Sequence, residues 1–138
     1  MLVLNPRVVK FGSVVWEGVL SVAIDRLANK KAIEWSDAGP HATFADIPEQ
    51  RIEVRITQEL TREDLAGPTP GQQAELVLFT SPTSSEVGRR KVSLQAVVVQ
   101  VSHELSLKKG ALRMIELVAV SATGSADPVM ISDAGAAV

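Results

Sequence analysis

Residues 51–60 read RIEVRITQEL, in which Ile52, Val54 and Ile56 alternate with polar or charged residues. Such alternation is typical of a β-strand with one buried face, because successive side chains of a strand point to opposite sides. Residues 73–79, QAELVLF, show the same pattern. The dominant periodicity of two therefore predicts an all-β fold.

An earlier segment, residues 14–24, is rich in the β-branched residues that strands prefer. We predict a strand here whose apolar residues share one parity and face the core. Several strands with one apolar face each predict a small β-barrel or a sandwich of two packed sheets. The predicted apolar set of this segment is Val14, Trp16, Leu20, Val22 and Ile24.

Turn residues separate the predicted strands. DAGP at 37–40 lies between residues 33–35 and 43–45, which predicts a hairpin. KKG at 108–110 lies between two long apolar segments, 92–106 and 111–121, which predicts a long C-terminal β-hairpin with its glycine at positive φ.

One short helix is also predicted. Thr61 and Asp64 have the spacing of a capping box, in which each side chain satisfies a backbone N–H at the start of a helix. Gly67 and Pro68 would end this helix. A single turn of polar linker at 61–66 is the alternative interpretation.

The apolar residues of segment 92–106 change parity midway. Such a change needs a β-bulge, or a strand that leaves one core and joins another surface. The partner segment is apolar on both faces, so a neighbouring subunit or the interior of a sandwich must cover it. The first apolar set is Val92, Leu94, Ala96 and Val98, and the second is Val99, Val101 and Leu105.

Composition excludes several classes of function. The 138 residues, interpreted as one domain spanning 1–138, include 14 Lys and Arg against 16 Asp and Glu, a formal charge of −2. A protein that binds nucleic acid regardless of sequence needs a basic excess, so we do not expect one here. The absence of cysteine excludes disulfides, thiolate metal sites and cysteine nucleophiles. We expect no signal peptide and no transmembrane helix, since no apolar run reaches about 18 residues.

We find no grouping of residues that predicts an enzyme, a metal site or a cofactor. His41 and His103 are the two histidines, and their spacing matches no metal-binding motif. His103 and Glu104 are adjacent in a predicted strand, so their side chains point to opposite faces. Phosphate-binding glycine motifs and the Gly-x-Ser-x-Gly motif of hydrolases are absent from the sequence.

The order of the predicted elements resembles a known family. A strand at 51–60 is followed by TREDL at 61–65, a Gly/Pro loop, a strand ending in Leu78 and Phe79, and the long hairpin. The closing segment 118–129, VAVSATGSADPV, contains Ser-x-x-Gly-x-x-Asp-Pro after an apolar strand. From about residue 14 to 129 the chain resembles the tail tube proteins of long-tailed bacteriophages, which are related to the inner-tube proteins of type VI secretion systems.

The resemblance implies a structural virion protein that is not an enzyme and uses no cofactor. Its subunits would form hexameric rings that stack into a tube, assembled in the bacterial cytoplasm and located in the virion tail. The expected partners are further copies, sheath, baseplate or initiator, terminator and tape-measure proteins, with DNA in transient passage and no membrane insertion. Residues 1–12 and 122–138 would be assembly arms.

The same resemblance suggests three sets of assembly residues. The hairpin and edge strands would contact neighbours in a ring, loops would join stacked rings, and the polar face of strand 51–59 would line the lumen or the outer surface. The inter-subunit set is Val97, Val99, Val101, Leu105, Ile115 and Leu117; the stacking set is Asp37, His41, Gly67, Pro68, Pro70, Lys108 and Lys109; the lumen set is Glu53, Arg55, Thr57 and Glu59.

Three alternatives stay open. A tube initiator, a tube terminator or a baseplate ring protein would share the fold. A monomeric β-sandwich that binds carbohydrate or peptide would need an exposed groove, usually with exposed aromatic residues. A small β-barrel enzyme would need His41 or His103 beside a carboxylate.

Overall fold

The computed structural model describes residues 3–4, 9–60, 67–81, 88–108 and 110–133. All regular secondary structure within these ranges is β-strand, which confirms the predicted all-β fold. The strands are β1 (Val3–Leu4), β2 (Val9–Phe11), β3 (Val14–Trp16), β4 (Val19–Trp35), β5 (Ala42–Leu60), β6 (Gln73–Ser81), β7 (Arg90–Ser106), β8 (Gly110–Ala119) and β9 (Met130–Asp133).

The strands form one antiparallel sheet in the order β3-β2-β6-β7-β8-β5-β4, with β1 paired to β6 and β9 paired to β7. The sheet is not closed into a barrel, so the sandwich is the form that agrees with the structure. Its two outermost strands, β3 and β4, are joined by Glu17 and Gly18 alone. This short link brings the two ends of the sheet together and folds it around one core.

The core contains side chains from the outermost strands β3 and β4 as well as from the strands between them. Leu76, Ile115 and Leu117 are completely buried, and Ile56 is 1% exposed. The predicted apolar face of 51–56 is confirmed. Phe11 and Trp16 stack at a centroid distance of 5.0 Å and close one end of this core. The cluster comprises Val9, Phe11, Trp16, Val19, Val54, Ile56, Leu76, Leu78, Val92, Leu94, Ala96, Val98, Ile115 and Leu117.

The predicted continuous strand over 14–24 is wrong. Gly18, at φ 72°, separates β3 from β4, and the pairing register shifts between Val19 and Ser21. Both irregularities change which side chains face inward. Val19 is therefore buried and Leu20 is 51% exposed. Val14 precedes Gly18 and is 56% exposed, and Ile24 pairs with the buried Val54 but is 37% exposed because β4 is an edge strand.

Both predicted hairpins are confirmed. β4 and β5 pair from Val19–Gln58 to Trp35–Ala42, and β7 and β8 pair from Ala96–Ala119 to Ser106–Gly110. Gly110 has a φ of 75°, as the turn prediction required. The parity change in β7 is a bulge, because the register shifts between Val98 and Gln100.

The ends of the chain are only partly as predicted. Val9 and Phe11 of β2 are buried in the core, so the predicted N-terminal arm of residues 1–12 is wrong for these two residues. Near the other end, all four residues of β9 are exposed, although the strand pairs with β7 from Arg90 to Ser93. The predicted helix at 61–66 lies outside the described residues.

Candidate assembly surfaces

The consecutive strands β7, β8, β5 and β4 present one face that points away from the core. On β5, Glu53, Arg55, Thr57 and Glu59 lie on this outer face because they alternate with the buried residues at 52, 54, 56 and 58. The structure therefore brings the four predicted lumen residues together on one surface, which we call the outer face.

Neighbouring strands add mainly acidic side chains to the outer face. In the antiparallel register Asp25 lies opposite Glu53, and Glu116 lies opposite Arg55. Glu104 of β7 lies on the same face as Glu59 of β5, because both residues pair with Leu112 on the strand between them. The described residues of the outer face include five carboxylates and two guanidinium groups. The acids are Asp25, Glu53, Glu59, Glu104 and Glu116, and the bases are Arg51 and Arg55.

Two ion pairs use both arginines of the outer face. Arg55 lies 3.0 Å from Asp25, and Arg51 lies 2.7 Å from Glu53. These groups are well exposed, so each pair contributes little to stability, about 0–1 kcal/mol. Within the described residues no ion pair engages the carboxylates of Glu59, Glu104 and Glu116. The outer face consequently keeps a net negative charge.

Both lateral edges of these four strands are open among the described residues. β4 pairs with β5 on one side only. β7 pairs with β6 only as far as Val97, so from Val99 to Ser106 it pairs with β8 alone. Each strand is antiparallel to the next, and therefore β4 and β7 run in opposite directions at the two edges. Open edges offer unpaired backbone groups to another strand.

The predicted inter-subunit residues fall into two groups. Val99, at the bulge, and Leu105 are 47% and 66% exposed, while Val97 and Val101 are half-buried on the same strand. Ile115 and Leu117 are completely buried in the core of this chain. Their assignment to an interface is wrong, because alternation directs the odd-numbered residues of β8 inward and leaves their side chains no surface for a neighbour.

The predicted stacking residues lie at opposite ends of the molecule. Asp37 and His41 lie in the turn between β4 and β5, where β5 begins. Gly67 and Pro68 lie beyond the other end of β5 and line a cavity there; Pro70, which precedes β6, is exposed. Lys108 lies in the β7–β8 turn at that same end, because β8 starts opposite the end of β5. Lys109 lies outside the described residues.

The distal part of the β4–β5 hairpin, residues 28–50, projects from the body as a two-stranded ribbon. Every residue in it is exposed, and the β5–β8 pairing starts only at Glu53. Ile33 pairs with Ala45 and lies on the same face as Trp35 and Ile47, while Phe44 lies on the other face. Ile33, Trp35, Phe44 and Ile47 are 37%, 60%, 51% and 41% exposed.

A polar cluster braces the base of this ribbon. Lys30 Nζ lies 2.8 Å from a carboxylate oxygen of Glu49, and Asn29 donates to the same carboxylate at 3.1 Å. Arg51 donates to Asn29 Oδ1 at 2.8 Å. The hydrogen bonds from Lys30 and Asn29 lower the pKa of Glu49. The cluster spans two register shifts on either side of Lys30, where the backbone pairing is irregular.

An open cavity of about 1020 Å³ lies at the end of the body opposite the ribbon tip. Arg113 is buried beneath it, and its Nε and one terminal nitrogen donate to Gln58 Oε1 at 3.1 and 2.9 Å. Gln58 in turn donates to the carbonyl of Glu17 at 2.7 Å. Gly67 packs against the Arg113 guanidinium, so a side chain there would displace it. The described walls also include Phe11, Val14, Val15, Trp16, Leu60 and Ala74.

The segment between β8 and β9 is fastened at Asp127. Its carboxylate accepts a hydrogen bond from the Val129 N–H at 3.0 Å and pairs with Arg26 at 3.1 Å. The Val129 bond, followed by Arg26, lowers the pKa of Asp127. A lowered carboxyl pKa means that the ionised form favours the folded state. The stabilisation is present above the ordinary value of 3.8 and is lost as the pH falls through the folded-state value.

We therefore expect residues 120–129 to loosen in acid. Amide exchange followed by NMR should show faster exchange at the Val129 N–H at about pH 2 than at pH 6 after correction for intrinsic rates, because the Asp127 carboxylate is lost as the pH falls through its lowered pKa. Asp127→Asn should show a smaller change between these two conditions. Equal pH sensitivity in the wild type and the variant would contradict the role of Asp127.

The two histidines do not form a common site. His41 is exposed in the ribbon turn, and His103 is exposed on β7, toward the opposite end of the molecule. The described ranges contain no group of three or more metal-ligating side chains. Nor does this part of the chain include a helix with the length and apolar character needed to cross a membrane.

Two features of these surfaces were missed from the sequence. Trp35 and Phe44 were not singled out, although both lie exposed on the ribbon. The buried Arg113 was not singled out, although it has the same parity as Ile115 and Leu117. That shared parity was a usable signal, since a charged residue at an inward position needs a buried partner.

No protein-family model matches the chain, and no curated protein matches it with significant similarity.

Proposed function

We propose that the protein is a structural subunit of a phage tail tube, which assembles into stacked hexameric rings that conduct the genome. The observation on which the proposal rests is the pair of open, oppositely directed edges on β4 and β7. The ring number and the phage setting come from the resemblance of the sequence to tail tube proteins.

Rotational symmetry makes the two open edges compatible. Rotation about an axis roughly parallel to the strands preserves the direction of each strand. β4 of one copy would then lie antiparallel to β7 of the next, as β4 already does to β5. Such a contact joins two different surfaces and can close into a ring. Pairing of open edges supplies backbone hydrogen bonds, and Val99 and Leu105 add apolar contact.

The acidic outer face is suited to line the channel of such a ring. A DNA conduit must not hold phosphate groups, and neutralising phosphates requires clustered lysine and arginine. The arginines at 51 and 55 are paired with carboxylates, while Glu59, Glu104 and Glu116 add negative charge. We therefore propose that the predicted lumen residues line the inner wall of the tube.

The remaining partners follow from the same proposal. Sheath, baseplate or initiator, terminator and tape-measure proteins would meet the tube in the virion tail, after assembly in the bacterial cytoplasm. An initiator, terminator or baseplate ring protein differs in the number of rings that it forms. Extended tubes from the purified chain alone would favour the tube subunit over these relatives.

The proposal predicts that Val99→Asp prevents ring formation. Val99 is 47% exposed at the bulge, so aspartate should leave the monomer folded but place a charge at the open edge of β7. Negative-stain electron microscopy and light-scattering mass, both at high protein concentration, should detect rings or tubes for the wild type and monomers for the variant.

Met130→Asp is the matched control, because Met130 is 68% exposed on β9, away from both open edges. It should assemble like the wild type. Normal rings from Val99→Asp would contradict the proposed edge contact. A wild type that remains monomeric even when mixed with preformed rings or an initiator complex would contradict the tube function and favour a monomeric binding module.

A further inference from the structure

The short strand β9 has an open edge of its own, apart from the open edges of β4 and β7. It pairs with residues 90–93 of β7 on one side, and its other side pairs with no strand among the described residues. All four of its residues are exposed, with Met130 at 68% and Ile131 at 64%. An open edge with exposed apolar side chains is a place where another extended chain can add to the sheet.

Three consecutive cations, Arg89, Arg90 and Lys91, lie beside this edge at the start of β7. Lys91 pairs with Ser132 of β9 and with Phe79 of β6, so these three side chains share one face of the sheet. The Arg89 guanidinium lies over the Phe79 ring, 4.0 Å from its centre. Within the described part of the chain, no ion pair engages any of the three cations. The surface beside β9 is therefore basic.

A groove of about 240 Å³ lies on the same face, at the first residue of β9. Ser93, Pro128 and Met130 are among its walls. A cavity of about 150 Å³ can hold a benzene ring, so the groove has room for one apolar side chain. Glu75 and Asp127 also line it, which disfavours a carboxylate in the groove itself. The groove and the cations thus accept different chemical groups, one at each end of the β9 edge.

Strand spacing shows how an added strand would reach the cations. Neighbouring strands lie about 4.8 Å apart, so a strand added to β9 runs about 10 Å from the backbone of Lys91. Only the small side chain of Ser132 lies between them on this face. A glutamate or aspartate of the added strand can therefore meet the long side chain of Lys91 above Ser132.

These features favour a peptide segment over a nucleic acid or a second copy of β9. A sheet edge is completed by the backbone N–H and C=O groups of another peptide, which nucleic acids lack. Exposed Met130 and Ile131 also require apolar contact. A second β9 would bring one carboxylate, that of Asp133, whose side chain alternates with Ser132 and so lies on the other face.

We infer that the open edge of β9 binds an extended acidic segment of a different protein. One apolar side chain of that segment occupies the groove beside Met130, and its carboxylates, at alternate positions, face Lys91 and Arg89. The inference goes beyond the proposed function, because it requires neither a ring nor a channel. It also leaves the edges of β4 and β7 available to neighbouring copies.

The test measures binding of a short fluorescein-labelled peptide of alternating valine and glutamate to the purified chain at physiological salt. Fluorescence anisotropy reports the dissociation constant, and a peptide of alternating valine and lysine is the comparison. The glutamate peptide should bind about tenfold more tightly or better, because it alone complements the cations. Met130→Asp should weaken its binding by about tenfold while leaving the assembly state of the wild type unchanged.

Charge reversal gives the sharpest result. Lys91→Glu should weaken binding of the glutamate peptide by about tenfold or more and strengthen binding of the lysine peptide. Lys10→Glu is the matched control, since Lys10 is exposed on β2, three strands from β9, where salt screens its charge. It should bind both peptides as the wild type does.

Several results would overturn the inference. Equal affinity for the two peptides, or unchanged binding to Lys91→Glu, would show that the cations do not select the segment. Displacement of the glutamate peptide by an equal concentration of a short DNA duplex would identify a nucleic-acid surface instead. Loss of rings in Met130→Asp would show that β9 joins two copies of this chain.

The same measurements separate this inference from the proposed function. Wild-type rings that bind neither peptide would overturn the β9 site and leave the ring proposal intact. A chain that never forms rings but binds the glutamate peptide through Lys91 and Met130 would support the β9 site alone.

Discussion

Leu117→Ala is expected to lower the free energy of unfolding by about 2–5 kcal/mol, the range for truncation of a buried leucine. Leu117 is completely buried and lies in register with Val54 on β5 and Val98 on β7, both of which are also buried. Alanine would leave a cavity in the middle of the core, where three strands meet. Urea denaturation followed by tryptophan fluorescence measures the change, because Trp16 packs in the same cluster.

Met114→Ala on the same strand is the control for Leu117→Ala. Met114 is 49% exposed on the outer face, so its truncation should change stability by no more than about 0.5 kcal/mol. The comparison also tests the corrected role of Leu117. If Leu117→Ala kept normal stability but failed to assemble, Leu117 would belong to an interface after all.

Gly18→Ala is the second substitution with a large expected effect, a destabilisation of about 2–4 kcal/mol. Gly18 has a φ of 72°, and a Cβ there would strike the backbone carbonyl of Glu59. The Glu59 N–H also donates to the Gly18 carbonyl at 2.8 Å, a bond that the displacement would break. Thermal unfolding monitored by circular dichroism should show the loss.

Substitutions at two other glycines separate the two causes of the loss expected for Gly18→Ala, which are the positive φ and the clash with Glu59. Gly71 has a φ of 97° with open space around it, so Gly71→Ala should show the conformational cost of a positive φ without a clash. Gly39 lies in the ribbon turn with nothing within 4 Å, and Gly39→Ala should be nearly neutral. A loss at Gly18 no larger than that at Gly71 would show that the contact with Glu59 is unimportant.

Much of the fold could be predicted because local sequence determines it. The alternation at 51–60 gives the buried face of β5, and the parity change after Val98 requires the bulge that the structure contains. The turns at 37–40 and 108–110 fix both long hairpins. Each of these signals is short-range, and each agrees with the tertiary structure.

The remainder depends on tertiary arrangement. Trp35 and Phe44 have the chemistry of core residues, and only the end of the β5–β8 pairing at Glu53 leaves them exposed. Leu20 lost its predicted burial through the backbone at Gly18 and the register shift that follows it. Which strands provide open edges depends on the strand order, which no local pattern encodes.

The pairing of distant segments in the sheet determines when each part of the chain can form during synthesis. The β5–β8 ladder joins residues 53–60 to 111–118, and β2 pairs with β6, so the body needs almost the whole chain to have left the ribosome. The ribbon needs only residues 28–50, whose contacts are local. On a polysome, newly made chains would therefore expose residues 28–50 before the body behind them has folded. The open edge of β7 forms only with the body, so a chain cannot offer both edges to a neighbour until its synthesis is nearly complete.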